Sequence, residues 1–351
     1  MNGCEGTNRV RRLPAEWEPQ AAVLIAWPHG HGDWAGLLDE VEACYRGLTA
    51  AIARHSRLLV LADDPAATAR QLAAAGVPER RATVVPWRCD DTWTRDYGPI
   101  TVIEGLAPRL LDFGFNGWGL KFAAARDNQA TRAAHAAGFL GRTALETVGL
   151  VLEGGSIESD GAGTILTTTA CLLSPNRNPH LDRAGVEAAL ARHLGARRVL
   201  WLEHGHLLGD DTDAHVDTIA RLCPGGTILY VRCDDDQDAH FADFALMETE
   251  LRALRTPAGK PYRLVPLPWA AARTDPEDGH RLPATYANIL FLNGSVLVPT
   301  YGDAARDAAA LAAVRSACPG YGIEGVDCSA LIRWHGSLHC ATMQIPAEVS
   351  L

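Results

Sequence analysis

Near its end the chain reads RWHGSLHCATMQIP, Arg333 to Pro346, which sets a cysteine, Cys340, after a histidine and a turn of small residues. A cysteine can pack a core, bind a metal or attack an electrophile, and taken alone Cys340 reads as a small buried hydrophobe. Three other stretches carry side chains that would change that reading if they met it in space. In CDDTWTRDYGPI, Asp90, Asp91 and Asp96 accompany Trp93 and Arg95 just before an apolar β run. Asp90 and Asp91 fit a solvated loop, whereas Asp96, directly ahead of Tyr97-Gly98-Pro99, stands where a side chain can project into a cleft. In VGLVLEGGSI an apolar run delivers Glu153 to two glycines. A carboxylate there is costly to bury unless it is paired or hydrogen-bonded, and the glycines let another group approach the backbone closely. LEHGHLLGDDTDAHVDTIARL concentrates His204, His206, Asp210, Asp211, Asp213, His215 and Asp217 within fourteen residues. His-x-His with aspartates can supply imidazole and carboxylate ligands to a metal. Read as a strand, the same stretch puts His215 and Asp217 on one face, side by side toward one ligand. The acidic run CDDDQDAH, Cys233 to His240, lacks the glycine and glutamate of a calcium loop and reads as solvated.

Such residues need elements to hold them. PITVIEGLAPRLLDF, GGSIESDGAGTILTT, HVDTIARLCPGGTILYV and YANILFLNGSVLVPT each set a glycine turn between two β-rich runs, near Gly105, Gly161, Gly225 and Gly294. Helices fall between them. Asp33 can cap one carrying Leu37, Val41, Tyr45, Leu48 and Ile52; Asp182 one that stops at Gly195; Asp303 one that runs toward Pro319. Segments near 66–76, 122–139 and 238–255 also read as helices. No Ser/Gly-rich spacer interrupts the chain, so strand pairs alternating with helices predict an α/β fold of about five repeated units in one domain, 1–351.

Composition narrows the function classes. With 47% hydrophobic and 21% charged residues, the 351-residue chain has the profile of a soluble globular protein. No apolar run reaches the ~18 residues of a membrane span, and the first residues lack a signal-peptide core, which predicts a cytoplasmic protein. Nine cysteines without a C-x-x-C pair fit a reducing compartment. The net charge of -10 argues against nucleic acid and accords with a cationic ligand, although acidity also serves solubility.

Taken in order, LPAEWEPQAAVLIAWP, DDTWTRDYGP, FNGWG, LEGGSIESDGAGTILTT, SPNRNP, GDDTDAHVD, LPATYANILFLNGSVLVPTYGD and HGSLHCATMQIP resemble the agmatine deiminase family, close kin of the bacterial-type peptidylarginine deiminases in the guanidine-modifying (pentein) superfamily. The resemblance covers nearly the whole chain. It implies a five-fold pseudosymmetric α/β propeller of ββαβ units and conversion of agmatine and water to N-carbamoylputrescine and ammonia, on the way from arginine to polyamines. No metal or organic cofactor is implied, and a homodimer is left open. By the same resemblance, Cys340 is the nucleophile and His215 the proton carrier. Asp96 and Asp217 grip the guanidinium, Glu153 supports the guanidinium and the histidine, Asp211 faces the far amine, and Trp93 and Trp118 wall the linker. WHGSLHC departs from the family's glycine-rich run before the cysteine, which bears on chain-length specificity.

The chemistry fits that division of labour. A guanidinium stays protonated, with a pKa above ~12, so its site needs fixed negative charge and planar acceptors. Charges ~4 Å apart attract by about 4 kcal/mol at an effective dielectric of 20, enough to offset much of the cation's desolvation. The same anions raise the pKa of a nearby thiol, so substrate charge or the imidazole must help form the thiolate. The competing expectations are a peptidylarginine deiminase, which would need a basic residue at the mouth, a metal-dependent amidohydrolase built on His204, His206 and Asp210, and a non-enzymatic guanidine-binding protein.

Overall fold

The computed structural model describes residues 11–351. Among them, five sheets repeat one connectivity: an antiparallel strand pair, a helix, then a strand that returns parallel to the second of the pair. Ile100–Glu104 and Ala107–Gly114 are joined through the helix Asp127–Ala136 to Ala144–Val151. Ile157–Ser159 and Thr164–Thr168 are followed by the helix Arg183–Leu194 and the strand Arg198–Leu202. Ala220–Cys223 and Thr227–Val231 are followed by Phe241–Ala253 and Arg263–Leu267. Leu290–Leu292 and Ser295–Thr300 are followed by Ala304–Ala317 and Gly322–Asp327. The fifth sheet joins the two ends of the chain. Met343–Pro346 lies antiparallel to Gln20–Ala26, which passes through the helix Leu38–Ala53 to Arg57–Ala62, with Ala82–Pro86 outermost. The architecture is mixed α/β.

Local chemistry explains these elements. The four expected hairpin turns all form, and Gly105, Gly161, Gly225 and Gly294 take φ of 66°, 74°, 73° and 75°, left-handed values that favour glycine. Thr164–Thr168 and Thr227–Val231, central in their sheets, are buried at every position, as expected of strands covered on both faces. Asp182 accepts from Gly185 N at 2.8 Å and left-handed Gly195 ends that helix. Asp303 caps the Ala304–Ala317 helix through Arg306 N at 3.1 Å. Asp33 does not cap the first long helix. It opens a separate 3-10 turn, Asp33–Gly36, and the helix starts at Leu38 with no side-chain cap bond. One apolar core cluster takes residues from all five sheets, among them Leu24, Leu110, Leu166, Leu229 and Leu297. Among the described residues no helix is long and apolar enough to cross a membrane.

Candidate active site

The repeated connectivity has a consequence for chemistry. The loop entering the first strand of each unit delivers one polar side chain to a common place. Asp96 precedes Ile100–Glu104, Glu153 precedes Ile157–Ser159, and His215 with Asp217 precedes Ala220–Cys223. Asn288 precedes Leu290–Leu292, and Cys340 precedes Met343–Pro346. Several of these loops are single helical turns. Asp96 lies in Thr94–Tyr97, Glu153 abuts the 3-10 turn Gly154–Ser156, and His215 abuts Val216–Thr218. His215 and Asp217 are therefore not strand residues sharing a face, as their spacing suggests; a 3-10 turn brings them together.

Cys340 is 5% exposed and lines a cavity of about 460 Å³ with Trp93, Asp96, Trp118, Asp211 and His335. The Asn288 amide donates to its Sγ at 3.3 Å, while Asn288 Oδ1 accepts from the backbone amides of His339 at 2.8 Å and Cys340 at 3.2 Å. Asp96 accepts from Trp118 Nε1 at 2.9 Å and Gly155 N at 3.0 Å, and its Oδ1 stands 3.6 Å from His215 Nδ1. His215 is fully buried and neither ring nitrogen has a hydrogen-bond partner; Asp217 Oδ1 is likewise unpaired. These orphaned groups lie behind Asp96 and do not themselves line the cavity; a buried polar atom without a partner is a candidate for contact with a ligand rich in N–H donors. A larger cavity of about 630 Å³ lies behind Arg95 and Gly154 and does not reach the thiol.

The electrostatics match an anionic pocket awaiting a cation. Burial, with the nearby Asp217 charge, pushes Asp96 well above the usual carboxylate range. Burial also raises Asp217, but the hydrogen bond and charge of His339, whose Nδ1 is 2.6 Å from Asp217 Oδ2, turn the net shift downward. Burial lowers His215 to about 3, so its imidazole is neutral. Burial and the Asp217 and Asp96 charges push the Cys340 thiol well up.

Residues that the sequence did not single out hold this set in place. Arg177, from the SPNRNP loop, donates through Nε to both Glu153 oxygens at 2.9 and 3.0 Å, with both side chains fully buried. It also reaches Asp213 Oδ2 at 2.6 Å and the Thr212 carbonyl at 2.8 Å. Glu153 is thus committed to Arg177, while one of its oxygens lies within 4.8 Å of a His215 nitrogen. Glu16 spans His339, Arg95 at 3.0 Å and Arg221 at 2.7 Å. Burial and the Arg221 and Arg95 charges push His339 down, opposed by Glu16 and Asp217. Asp211 sits at the rim, with His335 Nε2 3.4 Å from its Oδ2.

His204, His206 and Asp210 do not form a metal site. His204 pairs with Glu250 at 2.6 Å and His206 with Asp243 at 3.5 Å. Asp210 accepts from Thr212 N, Thr212 Oγ1 and Ala214 N, shaping the loop that carries His215. Among the described residues, Glu153, Cys171 and His215 do bring donor atoms within 4.8 Å of one another. The Arg177 charge already held by Glu153 opposes a second cation there.

This arrangement of a thiol, a neutral imidazole and buried carboxylates on a repeated α/β scaffold has close parallels. The chain belongs to the Porphyromonas-type peptidyl-arginine deiminase family, whose model matches residues 12–346. Agmatine deiminase of Pseudomonas putida is 34% identical, over 96% of each chain. A cysteine-to-serine variant of Campylobacter jejuni agmatine deiminase, solved with substrate bound, superposes with a TM-score of 0.90 at 31% identity, over 98% of each chain. A Porphyromonas gingivalis structure, provisionally described as an arginine deiminase, gives a TM-score of 0.89 at 48% identity, over 96% of this chain and 99% of its own.

Proposed function

We propose that this protein hydrolyses agmatine to N-carbamoylputrescine and ammonia through a covalent amidino-thioether on Cys340, within polyamine synthesis from arginine. The observation that carries the reading is that the Cys340 thiol opens on the same cavity as Asp96, with tryptophans along the wall and Asp211 at the rim. Agmatine is a guanidinium and an ammonium joined by an apolar linker, and the cavity offers anion, aromatic wall and anion in that order. None of the cavity-lining residues is a lysine or arginine, which favours a terminal amine over a carboxylate.

In this reading Asp96 and Asp217 accept the guanidinium N–H groups and orient the central carbon to the sulfur. Neutral His215 takes the thiol proton as the C–S bond forms, then passes it to the nitrogen that leaves as ammonia. Water then attacks the amidino carbon while His215 takes one of its protons. The C–S bond breaks, that proton returns to sulfur, and the remaining hydroxyl proton leaves to solvent as the carbonyl forms, where the released ammonia takes it up as ammonium. Glu153, fixed by Arg177, supports the guanidinium and His215 and keeps that side of the site rigid. Asn288 donates to the sulfur and stabilises developing thiolate. The reading extends to the scaffold: the five like units, with entry loops that converge around Cys340, Asp96 and His215, support a five-fold pseudosymmetric propeller forming a single domain. The described cysteines are all free, which supports a reducing, cytoplasmic setting.

The test is mass spectrometry of enzyme quenched during turnover, with ammonia release assayed in parallel. An amidino adduct on Cys340 is expected in the parent protein. Cys340→Ser is expected to bind agmatine and release no ammonia; undiminished turnover by that variant would remove the assignment. Arginine is the second reading, favoured by the basic side chain His335 at the rim. Comparing ammonia release from agmatine, arginine and a peptide ending in arginine separates the two.

A further inference from the structure

Within RWHGSLHC only His335 has a left-handed backbone, with φ of 63°, and its ring lines the cavity rim. Its Nδ1 lies 2.7 Å from the Gly209 carbonyl. A carbonyl only accepts, so Nδ1 carries a hydrogen and Nε2 is the atom that gains and loses a proton. That atom is 3.4 Å from Asp211 Oδ2. Lys121 is not a rival partner for this carboxylate, because its Nζ donates to the Asp211 carbonyl at 2.5 Å and to Asp213 Oδ1 at 2.6 Å.

Two rim states follow. With Nε2 bare, Asp211 presents its whole charge to an ammonium group. With Nε2 protonated, Asp211 is compensated and the rim offers a cation to a carboxylate. Agmatine and arginine share the guanidinium and differ at this end, where arginine adds an α-carboxylate. We propose that His335 is a specificity-determining residue that sets the choice between amine-terminated and α-amino-acid guanidines through the proton on Nε2. The inference rests on the guanidine-hydrolase reading above.

Other charged groups surround His335. His280 stacks on it with ring centroids 5.4 Å apart, but its Nδ1 is 2.5 Å from Asp278 Oδ1. Arg333 faces Asp275 at 3.5 Å. Asp33, Asp91 and Asp96 line the same cavity, and burial pushes Asp91 up to about 7, so the His335→Asn comparison is what isolates the histidine's part.

Agmatine and arginine competing in one solution report the ratio of their kcat/KM values at each pH. The Cys340 and His215 ionisations are common to both and cancel. Where arginine is not turned over, its competitive inhibition constant replaces its rate. The ratio is expected to favour agmatine about fivefold more at pH 8 than at pH 5.5. His335→Asn tolerates the left-handed backbone and keeps a donor for Gly209, and it is expected to flatten that dependence. Asp211→Asn is expected to lower the ratio at every pH. A flat ratio in the parent protein, or an unchanged slope in His335→Asn, overturns the inference while agmatine turnover persists. Absence of ammonia from both guanidines removes the proposed function and this inference with it.

Discussion

Asp96 and Asp217 are both buried in one pocket, yet their proton affinities are pushed in opposite directions. Asp217 has His339 as a hydrogen-bonded partner, whereas Asp96 has only neutral donors, the Trp118 indole and the Gly155 amide. In the empty site Asp96 therefore tends to hold a proton. A bound guanidinium places positive charge beside it, lowers its pKa and expels that proton, so the sign is release on binding. Calorimetry of agmatine binding to Cys340→Ser, repeated near pH 6.5 in buffers of differing ionisation enthalpy, is expected to show release of up to about one proton, falling toward zero in the double variant with Asp96→Asn. Uptake, or equal release in both proteins, would contradict the assignment. The candidate residues were legible in the sequence because several stand close to glycine or at the mouth of an apolar run, as Glu153 does. Their partners were not. Arg177 lies 24 residues from Glu153, and His339 lies 122 from Asp217. A buried counter-charge is recognisable only when the fold brings it near.

Between residue and fold stand the short turns that enter each unit. The Gly154–Ser156 turn is tightly constrained, because a Cβ on Gly155 would come within 2.6 Å of His215 Nδ1, 2.9 Å of Asp96 Oδ1 and 3.1 Å of Asp217 Oδ2. Gly155 has an ordinary backbone φ, so its need for glycine is one of space. Gly155→Ala is expected to keep the fold and lower kcat/KM by about 10²-fold or more, since displacements near 1 Å in an active site have that effect. Steady-state kinetics alongside a melting curve checks this, and activity within about threefold of the parent would show that the three side chains can yield. The hairpins were readable because a left-handed glycine between β runs has few alternatives. The one-turn helices were not, since a few polar residues carry no periodicity. That is why Asp33 was misplaced as a helix cap and His215 with Asp217 as strand neighbours. Asn288 had a signal that went unused: YANIL holds the position before a first strand that carries functional side chains in the other units.

At the scale of the molecule, the position of Cys340 depends on strands far apart in the chain meeting. Met343–Pro346 pairs with Gln20–Ala26, so a strand near the start fixes the loop that presents Cys340. Such closure has no local sequence signal; the repeat of hairpins foretold like units, and only the pairing of Gln20–Ala26 with Met343–Pro346 completes the fifth. Over this scaffold lies a net charge of -10, with Asp33 and Asp211 along the cavity. Acidity kept only for solubility would leave catalysis indifferent to salt, whereas an acidic funnel raises the local concentration of a dication and is screened beyond about 10 Å at 0.1 M salt. For agmatine, kcat/KM is expected to fall about five- to tenfold as ionic strength rises from about 0.02 to 0.5 M, with kcat nearly constant because the saturated complex no longer benefits from attraction at a distance. Neutralising the rim with Asp33→Asn and Asp211→Asn should halve that slope or better. Initial rates across a salt series in an inert chloride decide the matter, and a kcat/KM that ignores salt would leave the acidic surface with no part in capturing substrate.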